Sequence, residues 1–241
     1  MIPKVIHYIW LGGKQEPKIL EKCKKSWKKY CPNYDIKRWD ESNLNLDICP
    51  YVRQAYDAKK YAFASDFFRF DILYKEGGIY LDIDVELLKS LDPFLDNQCF
   101  VGFESKGSIN PGLIIGAERG NKDIKSLLDS YTDQVFIDNN GAMNLKTICE
   151  RTFEFFSKLG LENNEKTQKI SSTMIYATEY FNPTNLQTQK RKITKNTVAI
   201  HHYNASWYSP WKKFKLGVKT FLNKITFGLF GLTVNKLRGS K

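Results

Sequence analysis

The chain has 241 residues, a formal net charge of +11 and 42% hydrophobic residues. This length accommodates one large α/β domain with a substantial core. The charge favours acidic partners, namely nucleic acid, anionic membrane or phosphorylated substrates, without choosing among them. No segment reaches the ~18 to 20 apolar residues that span a bilayer, which argues against an integral membrane protein.

The five cysteines form no CxxC pair, and no histidine lies at zinc-finger spacing from them. An odd number of cysteines without a framework fits a reducing cytosol. The first residues lack the basic region, the long apolar region and the cleavage site of a signal peptide. We therefore expect a cytoplasmic protein.

Hydrophobic periodicity predicts alternating strands and helices in the first third of the chain. Residues 3–11 and 34–39 read as strands, and residues 17–30 between them form an apolar stripe at helical spacing. Residues 55–76 predict a helix with a wide apolar face, ended by Gly77-Gly78, and residues 79–82 predict the next strand. This alternation is typical of an α/β domain with a mostly parallel central sheet flanked by helices.

The rest of the chain continues the pattern as far as about residue 208. We predict strands over 99–103, 112–116, 172–180 and 196–203, helices over 121–136 and 142–159, and a polar loop over 160–169. The predicted organisation is one domain over 1–208 and an extension over 209–241.

The extension has a different composition. It mixes aromatic and aliphatic residues with lysines, and no acidic residue follows Glu179. A basic amphipathic helical tail of this kind favours a membrane-surface anchor. The alternative is a C-terminal helix packed on the core with a solvated basic rim.

Asp82-Ile83-Asp84 is the most informative motif, because it directly follows an apolar strand. Carboxylates two residues apart on an extended segment point to the same face. Oxygen ligands of this kind suit Mg²⁺ or Mn²⁺. In parallel sheets ligands bind beyond the carboxyl ends of the strands, so the motif predicts a site for a cation and its diphosphate.

Further candidates lie elsewhere in the chain. Asp66 and Arg69 share one face of an apolar helix, either as a structural ion pair or as partners of a polar ligand. His201 follows an apolar strand and could complete a cation site, although a tandem histidine is more often a coincidence. Trp10 ends the first strand, where it could stack on a nucleobase or belong to the core.

Four segments in this order resemble glycosyltransferase family 32, and the resemblance runs from about residue 2 to residue 207. The family includes the yeast initiating mannosyltransferase and many bacterial capsule and polysaccharide transferases, and the chain is more distantly similar to the glucosylating domain of large clostridial toxins. The segments are Ile2-Pro3-Lys4-x-Ile6-His7-x-Ile9-Trp10-x-Gly12, Ala64-Ser65-Asp66-x-x-Arg69, Gly77-Gly78-Ile79-Tyr80-x-Asp82-x-Asp84 and Ile200-His201-x-x-x-x-Ser206-Trp207.

The resemblance implies a GT-A fold and retaining transfer from a nucleotide sugar bound with Mn²⁺ or Mg²⁺. Asp82 would face the ribose and the metal, Asp84 would bind the metal directly, and His201 would lie near the metal or the diphosphate. Asp66 and Arg69 would hold the donor sugar and phosphate, so that these two residues and Asp84 form the catalytic set.

The resemblance also assigns residues to the donor. Trp10 would stack on the base, and Ser206 and Trp207 would close over the phosphates. Asn110 matches the segment that lines the sugar pocket, while Pro111 departs from the small or polar residue expected after it.

The main hypothesis is a metal-dependent retaining glycosyltransferase at the inner face of the cytoplasmic membrane, with a UDP- or GDP-sugar donor and a saccharide acceptor, such as a lipid-linked glycan, polysaccharide or capsule. No enzymic nucleophile is evident, which favours same-face attack by the acceptor. The alternatives are a transferase that modifies a protein and, from another class, a basic nucleic-acid-binding protein, for which the sequence contains no motif.

Overall fold

A central β-sheet organises the part of the chain that the computed structural model describes, namely residues 1–185, 188 and 190–203. Within that part, Met1–Tyr203 forms one compact unit. The predicted site residues Ser206 and Trp207 and the predicted extension over 209–241 lie outside the described residues. Among the described helices, none is long and apolar enough to cross a membrane.

The described chain contains ten strands and six α-helices. The strands are β1 (Val5–Ile9), β2 (Asp35–Trp39), β3 (Gly78–Tyr80), β4 (Val85–Leu87), β5 (Cys99–Ser105), β6 (Ser108–Ile109), β7 (Ile115–Ala117), β8 (Gln168–Ile170), β9 (Thr173–Tyr176) and β10 (Ala199–His201). The helices are α1 (Lys18–Tyr30), α2 (Pro50–Asp57), α3 (Tyr61–Glu76), α4 (Lys122–Asp129), α5 (Ile148–Lys158) and α6 (Thr178–Phe181).

The main sheet has the order β2-β1-β3-β7-β5-β9-β8, with β6 paired to β5. Strands β2, β1, β3, β5 and β9 run in one direction, while β6, β7 and β8 run in the other. Alternate strand residues enter two core clusters, one on each face of the sheet, as the period of two requires: Val101 joins the cluster with α3, and Phe100 the cluster with α1. This architecture confirms the predicted α/β fold.

A second, two-stranded sheet fixes the chain after β3. Strands β4 and β10 pair antiparallel, and Val85 lies opposite His201. Helix α1 holds β4 from outside: the Trp27 indole N–H donates to the Val85 carbonyl at 2.8 Å, and the Ser26 hydroxyl accepts from the Leu87 N–H at 2.9 Å. The segment after β3 is therefore tied both to the N-terminal helix and to the last described strand.

The predicted single helix over 55–76 is wrong, because two helices, α2 and α3, occupy this region. The break falls at Lys59, which has a positive φ of 57°, and the Lys60 N–H donates to the Ala55 carbonyl at 2.8 Å. Alanine and lysine are good helix formers, so local propensity does not indicate this break. Helix α3 is buried over much of its surface and places Asp66 and Arg69 inside the protein.

The predicted helices over 121–136 and 142–159 are both too long. Helix α4 ends at Asp129, and the Gln54 side-chain oxygen accepts the N–H groups of Phe136 and Ile137 at 2.9 and 3.0 Å, which holds these residues outside a helix. Helix α5 begins only at Ile148, directly after its N-cap Thr147, which forms a capping box with Glu150. The predicted strand over 172–180 ends at Tyr176 and is followed by α6.

His7 connects three elements of the sheet. The Trp39 indole N–H donates to His7 Nδ1 at 3.0 Å, so Nε2 carries the proton and donates to the Gly77 carbonyl at 2.9 Å. A Cβ at Gly78 would lie 2.7 Å from His7 Nε2, which explains a glycine there. Burial lowers the pKa of His7 from 6.5 to about 4 and outweighs the hydrogen bond to Gly77.

We predict that this buried neutral histidine makes folding stability depend on pH. Because the pKa of His7 is lower in the folded chain, the unfolded chain binds more protons between pH 6.5 and 4, and stability falls as pH decreases through this window. From pH 7 to pH 4.5 the free energy of unfolding should lose about 2 kcal/mol from His7 alone. Urea unfolding of the unaltered protein and of His7→Gln measures this loss as the difference between their two pH slopes. Equal slopes would contradict the assignment.

Candidate active site

The DxD motif lies in a turn rather than on an extended segment, which corrects the sequence-based placement. Strand β3 ends at Tyr80, and the Val85 N–H donates to the Asp82 carbonyl at 3.1 Å to close the turn. The Asp82 N–H donates to the Gly112 carbonyl at 3.0 Å, which anchors the turn to the segment before β7. The motif does lie at the carboxyl end of β3, as predicted.

Pairing of β4 with β10 brings Asp84 and His201 into contact. His201 Nε2 lies 3.0 Å from Asp84 Oδ1, and the two side chains are 4% and 2% exposed. The His202 N–H also donates to the Asp84 backbone carbonyl at 3.0 Å. Burial lowers the pKa of His201, but the hydrogen bond and the negative charge of Asp84 outweigh that effect and raise the pKa overall.

Asp82, Asp84 and His201 form a group that fits a divalent cation. One ligand atom from each residue lies within 4.8 Å of the others. His201 Nδ1 is buried and has no hydrogen-bond partner among the described residues. Two carboxylates and an imidazole form a donor set suited to Mn²⁺, and the carboxylates also suit Mg²⁺. The structure thus brings together the three residues predicted as metal ligands.

Arg69 links helix α3 to the DxD turn. Its Nη2 donates to Asp66 Oδ1 at 2.8 Å, and its Nη1 lies 3.6 Å from Asp82 Oδ1. The guanidinium stacks over the Tyr80 ring at 4.7 Å, and the Tyr80 hydroxyl donates to Asp82 Oδ1 at 3.0 Å. The structure therefore places the predicted Asp66–Arg69 pair directly beside the predicted metal ligands.

Burial raises the pKa of both carboxylates that Arg69 contacts. The pKa of Asp66 rises from 3.8 to about 7, because loss of solvent outweighs the charge of Arg69. The pKa of Asp82 also rises by burial, although Arg69 and His201 oppose the shift. Positive charge, from arginine or from a ligand's cation, opposes this rise and favours the ionised form of both carboxylates.

The sequence reasoning missed Arg151, which lies behind Asp66 on α5. Its guanidinium stacks on Tyr131 at 4.6 Å, and its Nε and Nη2 are buried without a hydrogen-bond partner among the described residues. Its charge and the Ile148 backbone N–H both lower the pKa of Asp66. The sequence does contain a capping-box pattern, Thr147 followed three residues later by Glu150. This pattern indicates that a helix begins here, just before Arg151.

Asn110 stands in a hydrogen-bonded loop opposite the DxD turn. Its Oδ1 accepts the Gly112 N–H at 2.7 Å, and its Nδ2 donates to Glu104 Oε1 at 2.8 Å. Glu104, which the sequence reasoning did not identify, also accepts the Tyr203 hydroxyl at 3.1 Å. A Cβ at Gly112 would lie 2.2 Å from Asp82 Oδ2, so only glycine allows this close approach.

Trp10 lies just beyond β1, at the same edge of the sheet. Its indole N–H donates to the Lys14 carbonyl at 2.6 Å, and its ring is partly buried against the α1 side of the core. Its predicted stacking on a base stays a prediction.

Comparison with solved structures defines the fold class. The chain is similar to the PaToxG glycosyltransferase, with a TM-score of 0.52, 21% identity and coverage of 65% of this chain and 69% of that one. It is also similar to a glycosyltransferase involved in the glycosylation of the major capsid of PBCV-1, with a TM-score of 0.50, 13% identity and coverage of 85% and 95%. The mixed α/β sheet is the GT-A glycosyltransferase fold.

Residues 17–101 match the family described as the glycosyltransferase sugar-binding region containing a DXD motif. This region includes the Asp66–Arg69 pair and the DxD turn. An uncharacterized glycosyltransferase of Acanthamoeba polyphaga mimivirus is 29% identical over 222 residues, which is 88% of this chain and 86% of that protein. The chain resembles the DXD-containing glycosyltransferases of the family 32 type, and these matches support a glycosyltransferase enzyme.

Two yeast relatives match a shorter region. The inositol phosphoceramide mannosyltransferase 3 of Schizosaccharomyces pombe is 32% identical over 123 residues, which is 49% of this chain and 34% of that protein. The initiation-specific α-1,6-mannosyltransferase of Candida albicans is 32% identical over 126 residues, or 48% and 32%. The chain thus spans about a third of the length of these two relatives.

We predict that Tyr80→Phe weakens the DxD turn, because it removes the hydroxyl that donates to Asp82. A hydrogen bond to a charged group contributes about 2 kcal/mol, and the free energy of unfolding should fall by that amount. The matched control is Tyr131→Phe, since the Tyr131 hydroxyl is equally buried but has no hydrogen-bond partner among the described residues. Chemical denaturation of both variants checks the prediction, and equal stability of the two would contradict it.

Proposed function

We propose that the protein is a metal-dependent retaining glycosyltransferase that uses a UDP- or GDP-sugar. The observation that supports this most is the convergence of Asp82, Asp84 and His201 beside the buried Asp66–Arg69 pair. Such an arrangement matches a donor that has both a diphosphate and sugar hydroxyl groups. A nucleic-acid-binding function has no comparable site among the described residues.

Transfer requires stabilisation of the nucleoside diphosphate as it leaves. A divalent cation bound at this site supplies Lewis-acid neutralisation of the charge on the departing phosphates. Arg69 favours the ionised form of Asp66 and Asp82 and orients both carboxylates through its two contacts. Asp66 then presents a carboxylate that can accept hydrogen bonds from donor-sugar hydroxyls.

We further propose that the anomeric configuration is retained through same-face attack. Each carboxylate of the described site is hydrogen-bonded to another side chain, so none stands free as a nucleophile; these residues are Asp66, Asp82, Asp84 and Glu104. This favours direct attack by the acceptor hydroxyl on an oxocarbenium-like sugar. Trapping of a covalent glycosyl-enzyme would contradict this route.

The acceptor proposed here is a saccharide, for instance on a lipid-linked glycan or a growing polysaccharide or capsule, and the enzyme works in the cytoplasm at the inner membrane face. The basic composition after Glu179 supports the membrane part. The S. pombe relative is named for a lipid acceptor, inositol phosphoceramide. A protein acceptor is the competing outcome of any acceptor screen.

We predict that Asp84→Asn strongly slows metal-dependent release of nucleotide from a nucleotide sugar. Loss of one preorganised electrostatic contact costs about 3 to 4 kcal/mol of transition-state stabilisation, or roughly 100- to 1000-fold in rate. Asp71→Asn is the control, because Asp71 is also a buried carboxylate but pairs with Lys75. Free nucleotide is measured with Mn²⁺ and with EDTA across a panel of UDP- and GDP-sugars. Undiminished release by Asp84→Asn would refute the metal assignment.

We predict that deletion of residues 211–241 releases the protein from anionic liposomes. The lysines of this segment supply the attraction to acidic headgroups, which weakens as salt increases. Co-sedimentation with phosphatidylserine vesicles and with neutral phosphatidylcholine vesicles measures the effect. Unchanged binding of the shortened protein to anionic vesicles would show that the segment is not the anchor.

A further inference from the structure

A separate polar cavity of about 560 Å³ opens next to Glu104. It is formed by the end of β5, by α6 and by the segment that follows α6. Its volume is within the range of about 300 to 1,000 Å³ that is typical of small-ligand sites. Its described lining includes Glu104, Asn182, Thr184 and Lys192.

Glu104 connects this cavity to the donor side of the molecule. Its carboxylate accepts hydrogen bonds from Asn110 and from Tyr203, while its backbone carbonyl accepts the Asn182 amide at 2.9 Å. Asn110 in turn binds Gly112, whose backbone contacts Asp82. The cavity and the DxD turn are therefore joined through a short chain of hydrogen bonds.

Backbone hydrogen bonds connect the described residues of the wall after α6. The Asn185 N–H donates to the Lys190 carbonyl and the Lys192 N–H donates to the Pro183 carbonyl, both at 2.9 Å. Thr184 pairs with Arg191 in an isolated antiparallel bridge. Backbone pairing of this kind holds the polar side chains of the wall in place.

The lining has the chemistry of a site for a neutral polyhydroxylated ligand. Its described residues present carboxylates, amides, hydroxyls and ammonium groups, and none of them is aromatic or a large aliphatic residue. The apolar surface of the lining comes only from proline and from the methyl and methylene groups of polar side chains, which form no apolar slot for a lipid chain. Sugar hydroxyls, which both donate and accept hydrogen bonds, match this mixed set.

Two wall residues have buried oxygen atoms without a partner. Asn182 Oδ1 and Thr184 Oγ1 make no hydrogen bond among the described residues, and the two residues are only 1% and 7% exposed. Buried polar atoms are normally paired, and each exception calls for an explanation. Both residues line the cavity, so a ligand hydroxyl bound there is the candidate partner for these atoms.

We propose that this cavity is the acceptor subsite and that it binds the terminal pyranose of a saccharide. The inference rests on the proposed function. The acceptor hydroxyl would attack C1 of the donor sugar as the bond from C1 to the phosphate oxygen breaks. The diphosphate leaves with the electron pair and accepts the hydroxyl proton, so the products are a new glycosidic bond and the nucleoside diphosphate.

Binding is tested on the full chain without relying on turnover. Amide chemical shifts are recorded by NMR with methyl α-mannopyranoside, methyl β-glucopyranoside and methyl β-galactopyranoside at about 100 mM, in the presence of Mg²⁺ and UDP or GDP. At least one glycoside should shift the amides of Asn182 and Thr184. Absence of shifts at these positions with all three glycosides would overturn the subsite.

Thr184→Val removes the hydroxyl at nearly constant shape. Since that hydroxyl is unpaired in the free protein, the variant should fold as stably as the parent. It should weaken binding of the shifting glycoside, and raise its KM as acceptor, by about 10-fold, as expected for one lost hydrogen bond, with the donor KM unaltered. Thr152→Val is the matched control, because Thr152 is also a buried threonine with an unpaired hydroxyl, but lies on α5 outside the cavity.

The outcomes separate the two proposals. Equal glycoside affinity of Thr184→Val and Thr152→Val would overturn the subsite even if donor turnover is normal. Absence of nucleotide release from every donor by the unaltered protein would refute the proposed function, while the NMR shifts still decide whether the cavity binds a pyranose.

Discussion

The contact between the Arg69 guanidinium and the carboxylates of Asp66 and Asp82 is the interaction on which the rest of the site depends. All three groups are largely removed from water, where an unpaired charge is costly. Arg69 therefore connects the buried helix α3 to the turn after β3. Loss of either partner would leave a charge in the core without compensation, so this pair also constrains how the helix packs on the sheet.

The remaining contacts of the site also place charged groups next to one another. His201 reaches Asp84 only because β10 pairs with β4, and α1 holds β4 through Trp27 and Ser26. Burial raises the pKa of Asp66 and of Asp82, so both carboxylates depend on neighbouring cations to stay charged. A site that requires extra positive charge is well matched to a diphosphate that arrives with its own divalent cation.

Sequence reasoning identified the parts of the site that follow directly from strand and helix periodicity. Local pattern was enough to find Asp82 and Asp84 at the end of a strand, Asp66 and Arg69 on one helix face, and His201 after an apolar strand. The family resemblance added Asn110. The turn at the DxD motif, the break at Lys59 and the ends of α4 and α5 depend on tertiary contacts, such as Gln54 with residues 136 and 137. Glu104, Tyr80 and Arg151 were missed because single charged or aromatic residues have no distinctive spacing.

The central claim is that Asp82, Asp84 and His201 hold a divalent cation together with the donor diphosphate. Anomalous diffraction from crystals grown with Mn²⁺ and a nucleoside diphosphate tests this claim most directly, because it locates the ion without reference to activity. The account predicts one anomalous peak within bonding distance of Asp84 and of a second residue of the group, with phosphate oxygens completing the coordination. A nucleoside diphosphate bound at this turn without a manganese peak, or a peak at another place, would contradict it.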